Sequence, residues 1–294
     1  LRNLFVPSDF VSAGDKTFGD LVTEKMSTYG DEWSGVNFAD GQDGLYNPEK
    51  AKAEFAKAKE ALQGEGVQFP IHLDLPVDQT SKLNVSKAQS LKQTIEKSLG
   101  SENVVIDINQ LSSDDMQNVT LNAANAAAED WDISNGVAWG PDYQDPSTYL
   151  DIFKTTSSEN TKTFMGYDDP NNAAAAQVGL KDYDALLDSA SSETTDLNAR
   201  YDRYAQAQAW LEDSSLVIPL TVGNGAAPSI SRLTPFTGPY TQVGDKNSSY
   251  YFKFVKPQEK VVTKKEYEQS REKWLKEKKA SNEKAQKDLE KHVK

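Results

Sequence analysis

Two apolar runs, Gln68 to Leu75 and Asn103 to Asn109, bracket one stretch of helical pattern from about Ser81 to Leu99. This order constrains the chain more than any other feature. Val104, Ile106 and Ile108 alternate with polar neighbours and share one side, as in a half-buried strand, so the segment predicts a β-α-β unit. The same rhythm continues on both flanks. At Asn47-Pro48-Glu49 a capping Asn, a Pro suited to the first helical position and an acidic first-turn residue coincide, which predicts a helix to about Leu62. Its Ala51, Phe55, Ala58 and Leu62 share one face, and Gly64 and Gly66 end it. Ser112-Ser113-Asp114-Asp115 opens another helix through an alanine-rich stretch to Ala128, and Trp131 to Trp139 reads as a further strand. Alternation of this kind implies an α/β sheet.

Before Asn47 the chain is rich in Gly, Asp and Ser and holds no sustained period, so a loop-rich, partly helical segment is expected. After Trp139 the pattern predicts a short helix over Asp145–Phe153, a polar loop over Thr155–Asn172, and helices over Leu180–Ala190 and Asp196–Asp213. Leu216–Val222 reads as an apolar strand, Gly223–Asn247 as loops, and Tyr250–Val255 as a strand. Thr263 and Glu266 form a capping box that opens a Lys/Glu-rich helix, docked through Tyr267, Trp274 and Leu275 with its remainder solvated.

Composition removes several classes of function. The chain has 294 residues with 37% apolar residues, enough for a core, in one large domain or two smaller ones. A formal charge of −13 and a pI near 4.7 leave no basic footprint for nucleic acid. Cysteine is absent and only His72 and His292 are imidazoles, so thiolate catalysis, disulfides and most zinc sites are excluded. No run approaches the ~20 apolar residues that span a bilayer. The start, Leu1-Arg2-Asn3-Leu4-Phe5, has neither an initiator Met nor a signal-peptide pattern, and a missing natural N-terminus is expected.

The segment from Trp131 to Pro146 carries the chemistry. Trp139, Asp142 and Tyr143 fall where a strand of an open α/β sheet ends, and ligands bind beyond such carboxyl ends. A carboxylate there can pair with an ammonium group, aromatics can cover an apolar side chain, and strand-edge amides can pair with an extended peptide. No Lys or Arg occurs between Lys97 and Lys154, so these carboxylates have no cation near them in sequence and a ligand amine could supply one. The plainer reading makes Asp142 and Asp145 turn residues that accept backbone hydrogen bonds, and Trp139 a core aromatic.

Other chemistries fit less well. Asp142 and Asp145 could serve as a glycosidase pair, but two residues in neighbouring turns are a weak signal for it. Neither histidine accompanies a Gly-x-Ser-x-Gly elbow, and His72, in an apolar strand, reads as a packed surface or core residue. Asp40-Gly41-Gln42-Asp43-Gly44 lacks the glycine and glutamate placement of a calcium loop, and Gly64-Glu65-Gly66 follows a helix instead of opening one. No catalytic residue, metal site or cofactor is assigned.

The stretch Trp139-Gly140-Pro141-Asp142-Tyr143-Gln144-Asp145-Pro146 resembles the Trp-x-x-Asp-Tyr-x-Asp-Pro signature of the peptide- and nickel-binding class of solute-binding proteins, family 5. Three further pieces fall in the family's order: Tyr46 to Ala51, Arg203-Tyr204 through Trp210-Leu211-Glu212-Asp213, and Leu216-Val217-Ile218-Pro219-Leu220. The tail from Val262 to Lys294 is similar to the ends of streptococcal oligopeptide-binding lipoproteins of the Ami and Ali group.

The resemblance implies a non-enzymatic component of an ABC importer that captures extended oligopeptides by lobe closure. The implied fold is α/β, the C-terminal lobe of a type II periplasmic-binding-protein-like fold with a Lys/Glu-rich C-terminal helix. Residues 1–223 would form that lobe, mostly complete, and 224–294 a segment returning toward an absent N-terminal lobe plus the helix. Asp142 would bind the peptide's α-ammonium group, Trp139 and Tyr143 would line the pocket, and Ala138 and Gly140 would pair with the peptide backbone. In enteric members basic residues upstream of the motif meet the peptide's carboxylate, whereas the corresponding stretch here, including Ala127 and Gly136, has none. The implied partners are oligopeptides and membrane permease subunits, without nucleic acid. The implied location is extracytoplasmic, as a lipoprotein on a Gram-positive cell whose anchor lies outside these residues. A surface adhesion or interaction module with a vestigial cleft is the alternative.

Overall fold

The computed structural model describes residues 3–38, 45–129, 131–134, 138–157, 163, 165–167, 173–220, 230–238, 240 and 249–292. It divides into two units, Leu1–Gly140 with Asp145–Thr221, and Pro141–Gln144 with Val222–Lys294.

The first unit begins with a small antiparallel pair, β1 (Ser12–Ala13) and β2 (Lys16–Thr17), turned through Gly14 at φ +58°. The sequence pattern did not foretell it. Thr17 then caps α1 (Phe18–Met26): its hydroxyl accepts the Asp20 N–H and its own N–H donates to the Asp20 carboxylate. The next helix, α2 (Pro48–Gly64), starts as expected, with Asn47 Oδ1 accepting the Lys50 N–H at 3.0 Å. Its predicted apolar face is only partly covered, since Ala51 and Ala58 are exposed while Phe55 and Leu62 are half-buried. Contact narrows to one turn because Phe69 meets Phe55 edge-on at 6.3 Å and lies under the Lys59 ammonium at 5.0 Å.

The predicted β-α-β unit forms. β3 (Ile71–Asp78) and β4 (Val104–Leu111) pair in parallel, with Ile71 opposite Val104 and Asp78 opposite Leu111. The crossover is α3 (Lys82–Leu99), capped by Ser81 and closed by Gly100 at φ +87°, a conformation that glycine adopts without a Cβ penalty. Leu75, Val77, Ala88, Val104 and Ile106 make a compact core between sheet and helix. The opposite face of the sheet is polar: His72 Nδ1 meets Asp107 Oδ2 at 2.7 Å and Asn109 donates to Asp74 at 3.0 Å. Of the two positions expected for His72, surface and core, it takes the surface one.

Both backbone groups of Ile106 bond to side chains of α3. Its N–H donates to Glu96 Oε1 at 3.0 Å, and its carbonyl accepts from Lys92 Nζ, which also pairs with Glu96 at 2.6 Å. A side-chain ion pair thus takes the place of a neighbouring strand at this edge, a device that discourages pairing with foreign chains.

Several sequence expectations change after β4. The helix starting at Ser112 ends early: α4 spans Ser113–Asn118, and only a single 3-10 turn, Ala126–Ala128, follows. Thr120 hydroxyl bonds back to the Met116 carbonyl and Asn125 caps the Ala128 N–H, local alternatives that compete with helix propagation. The expected strand Trp131–Trp139 is not a strand over its described residues, and 135–137 lie outside them. Asp132 and Ile133 both send their N–H groups to the Asp74 carbonyl, while the Asp74 N–H is taken by the Asp132 carboxylate. Consecutive amides on one acceptor are incompatible with the alternation of a ladder.

The regular elements described in the remainder of this unit are α5 (Ser147–Leu150), a 3-10 turn Asp151–Phe153, α6 (Ala173–Gln177), α7 (Leu180–Ser192) and α8 (Leu197–Ser214). α8 packs on both α1 and α7, which explains its weak amphipathicity. Ala205, Ala207 and Ala209 are all buried and let neighbours approach on more than one side. With Phe18, Val22, Met26, Leu150, Leu180, Leu187 and Tyr204 they form the larger core. The buried Tyr183 and Tyr167 hydroxyls donate to the carbonyls of Leu150 and Phe153. The strand expected from Leu216 is not formed through Leu220, and 221 and 222 lie outside the described residues. Leu216, Ile218 and Leu220 are exposed, Ile218 at 67%, and have no strand partner among the described residues. Alternating apolar residues cannot form a strand without an edge to pair with.

In the second unit, the segment expected as a strand from Tyr250 is a 3-10 helix, Ser249–Phe254. Pairing falls just beyond it, where Leu233 bridges Pro257 and the Gln258 N–H donates to the Arg232 carbonyl. α9 (Lys264–His292) opens on the expected capping box of Thr263 and Glu266. Trp274 is buried against Phe236 and Tyr240, and Tyr267 stacks near Phe236 at 5.1 Å. From Ala280 onward the helix is exposed apart from half-buried Asp288. Among the described residues no helix is long and apolar enough to cross a membrane.

Candidate functional site

The motif singled out in the sequence is held at two points of the first unit. Trp139 is half-buried against the larger core, and its indole N–H donates to the Thr148 carbonyl at 2.7 Å. An indole has one donor and no acceptor, so this bond satisfies the ring completely. The second anchor is Asp145. Its Oδ1 accepts the Ser147 N–H at 3.1 Å and the Ser147 hydroxyl at 2.6 Å, which fixes the start of α5.

The same carboxylate receives a guanidinium fork. Arg200 of α8 donates from Nε to Asp145 Oδ2 at 2.8 Å and from Nη2 to Oδ1 at 3.0 Å. Its Nη1 reaches the carbonyls of Ala190, Ser191 and Glu193 at 3.2, 3.1 and 3.2 Å, where the end of α7 is partially negative. The guanidinium also lies over the Tyr204 ring at 5.0 Å. Burial pushes the Asp145 carboxyl up, but the hydrogen bonds from Arg200 and Ser147 outweigh it and hold the group below the usual carboxylate range. Arg200 is correspondingly raised, chiefly by its bond to Asp145.

Asp151 stands near this pair without sharing it. Burial raises its carboxyl to about 6, opposed by the charge of Lys154 and reinforced by that of Asp145. Its Oδ1 has no hydrogen-bond partner among the described residues.

The predicted ligand residues divide by exposure. Ala138 and Gly140 are exposed and Trp139 half-buried, all in the first unit; Asp142 and Tyr143 are exposed, Tyr143 at 52%, and belong to the second. A Cβ built at Gly140 would meet no atom within 4 Å beyond its chain neighbours. Gly136, in the stretch without basic residues, and the Asp40 to Gly44 loop lie outside the described residues, while Ala127 sits in the 3-10 turn. Among the described residues no group of three or more His, Asp or Glu could hold a metal ion.

Sequence reasoning kept Asp142 and Asp145 together as carboxylates without a cation. For Asp145 that is corrected: Arg200, 55 residues away, supplies one. The turn reading of Asp145 holds. Arg200 and Asp151 were missed, and the one available signal was the basic-free span from Lys97 to Lys154, where a buried carboxylate either finds a distant cation, as Asp145 does, or holds its proton more tightly, as Asp151 does.

Known proteins give the arrangement a context. The profile of bacterial extracellular solute-binding proteins, family 5 Middle, matches residues 9–161. The oligopeptide-binding protein AmiA of Streptococcus pneumoniae is 66% identical over 294 residues, 100% of this chain and 45% of the relative. The oligopeptide-binding protein SarA of Streptococcus gordonii is 60% identical over 295 residues, 100% of this chain and 44% of the relative. The chain therefore spans less than half the length of these relatives. Among solved structures, the substrate-binding domain of an oligopeptide ABC transporter from Bacillus anthracis superposes with a TM-score of 0.51 at 22% identity. That match covers 74% of this chain and 34% of the other and bears on fold alone.

Proposed function

Because this chain belongs to family 5 of the bacterial extracellular solute-binding proteins, we propose that it supplies one wall of a cleft that captures extended oligopeptides for an ABC importer. The carrying observation is the exposure of the motif: Ala138, Gly140, Asp142 and Tyr143 all reach solvent, where an incoming peptide can meet them. Asp142 receives the peptide's α-ammonium group, the backbone at Ala138 and Gly140 pairs with the peptide main chain, and Trp139 and Tyr143 cover its first side chains. Main-chain pairing reads no side-chain identity, so sequence preference is broad. Capture and release involve no bond made or broken. The permease subunits of the importer are the downstream partner, and a lipid anchor outside these residues holds the protein at the cell surface.

Isothermal calorimetry with an alanine hexapeptide, free or N-acetylated, tests the reading on the protein as the cell makes it. Acetylation and Asp142→Ala are each expected to weaken binding by about ten- to hundredfold, the worth of one charge-assisted hydrogen bond. Binding that ignores both changes would remove Asp142 from the site. Binding of folded host proteins without any peptide dependence would favour an adhesion module instead.

A further inference from the structure

We propose that α9 carries a contact surface for an anionic phospholipid membrane, formed by six lysines aligned along one side of the helix. This role goes beyond peptide capture and does not depend on it. The whole-chain charge of −13 conceals the feature. Lys264–His292 holds ten Lys and Arg against seven Asp and Glu, so the helix is basic within an acidic chain. At about 100° of rotation per residue, Lys265, Lys273, Lys276, Lys284, Lys287 and Lys291 fall within one arc of about 100°. Glu266 and Glu283 are the acids in that arc, both at its margins. Glu266 is already engaged, its carboxylate accepting the Thr263 N–H and hydroxyl, each at 2.8 Å. Around the rest of the helix basic and acidic residues alternate and their charges nearly cancel.

Packing turns the arc outward. Trp274, buried against Phe236 and Tyr240, lies about 180° around the helix from Lys265, and all six lysines are exposed. Lys273 and Lys291 share their charge with Glu277 at 3.8 Å and Asp288 at 2.9 Å. Lys265, Lys276, Lys284 and Lys287 make no ion pair among the described residues. From Lys265 to Lys291 the row runs about 39 Å along the axis, at about 1.5 Å per residue. A straight row of like charges of that length complements a flat sheet of anionic headgroups better than a compact acidic patch on a folded partner. The residue type agrees, because lysine is a point charge suited to diffuse attraction, whereas a specific phosphate pocket favours the fork of arginine. With its apolar side spent on Phe236 and Tyr240, the helix attaches by charge and without insertion. Contact of this kind is sensitive to salt.

The test measures partition of the full-length protein onto phosphatidylcholine vesicles with and without about one-third phosphatidylglycerol. The quantity read is the ratio of the two affinities, to which a lipid anchor contributes alike and cancels. At about fivefold per lysine near an anionic surface, the ratio is expected above about tenfold in low salt and close to unity at about 0.5 M salt. Lys276→Gln, Lys284→Gln and Lys287→Gln together should bring it below about threefold. Lys264→Gln, Arg271→Gln and Lys279→Gln together remove the same charge outside the arc and should leave about half of it or more. Circular dichroism establishes that both variants keep the helix. A wild-type ratio close to unity in low salt, or an equal loss in the two variants, overturns the proposal. Binding of soluble polyglycerol phosphate without a preference for anionic vesicles would give the lysines to a free polymer instead. Salt-sensitive dimers in sedimentation, lost in the first variant and again without vesicle preference, would give them to a second copy of the chain, and either result overturns the membrane contact.

Discussion

Glu212, in the last turn of α8, is 6% exposed and faces no cation among the described residues. Its Oε1 accepts the Gln208 amide at 2.6 Å, and Gln208 Oε1 accepts the Val6 N–H at 3.1 Å, so the pair ties the N-terminal segment to the helix. Burial raises its carboxyl from 4.5 to about 8, against opposing hydrogen bonds from Gln208 and the Phe5 backbone. The folded chain thus holds this proton up to about pH 8, whereas an unfolded one releases it near 4.5. Between those limits the folded state binds more protons, and the stability present below pH 4.5 is lost as pH rises through 8. At about 1.4 kcal/mol per tenfold change in proton affinity, the full loss is bounded at about 5 kcal/mol. Relaxation and water entry reduce it to about 2–4 kcal/mol. Glu212→Gln keeps the acceptor oxygen and cannot ionise. Urea unfolding followed by tryptophan fluorescence is expected to place the variant within about 1 kcal/mol of wild type at pH 5 and about 2–4 kcal/mol above it at pH 9. Stability curves that run parallel from pH 5 to 9 would refute the reasoning, since the carboxyl would then be ionised or solvated throughout.

Asp151→Asn removes a second raised carboxyl, with the same sign at lower pH. Its penalty is absent below about pH 4 and complete above about 6, so the variant should gain about 1 kcal/mol at pH 7.5, solvent screening included, and nothing at pH 3.5. Leu75→Ala opens a void in the smaller core, where Leu75 is fully buried. A loss of about 2–5 kcal/mol in urea unfolding is expected, and a loss under 1 kcal/mol would mean that β3 and α3 do not pack as described.

The local grammar of the sequence was sufficient for most elements of the first unit. Asn47-Pro48, Ser81 and Thr263 each start a helix where they stand, because a cap acts within three residues of itself. Strand prediction failed wherever a strand needed a partner that the nearby chain does not supply. Leu216 to Leu220 and the residues after Trp131 carry apolar or β-prone patterns, yet the first meets no strand edge among the described residues and the second spends its amides on one carbonyl.

The site shows the same division. A candidate stretch was legible, because a carboxylate, aromatics and turn residues crowded into one basic-free stretch are a local property of the chain. The roles inside it were not. Local pattern does not separate Asp142 from Asp145, three residues apart with the same side chain; the family resemblance singles out Asp142, and only the fold brings Arg200 of α8 to Asp145. Charge pairing depends on distance in space, which the fold sets across 55 residues, whereas capping and turn chemistry depend on neighbours along the chain. For that reason the sequence alone determined where most of the longer helices begin. Only the tertiary structure decided which aspartate is committed to holding the chain.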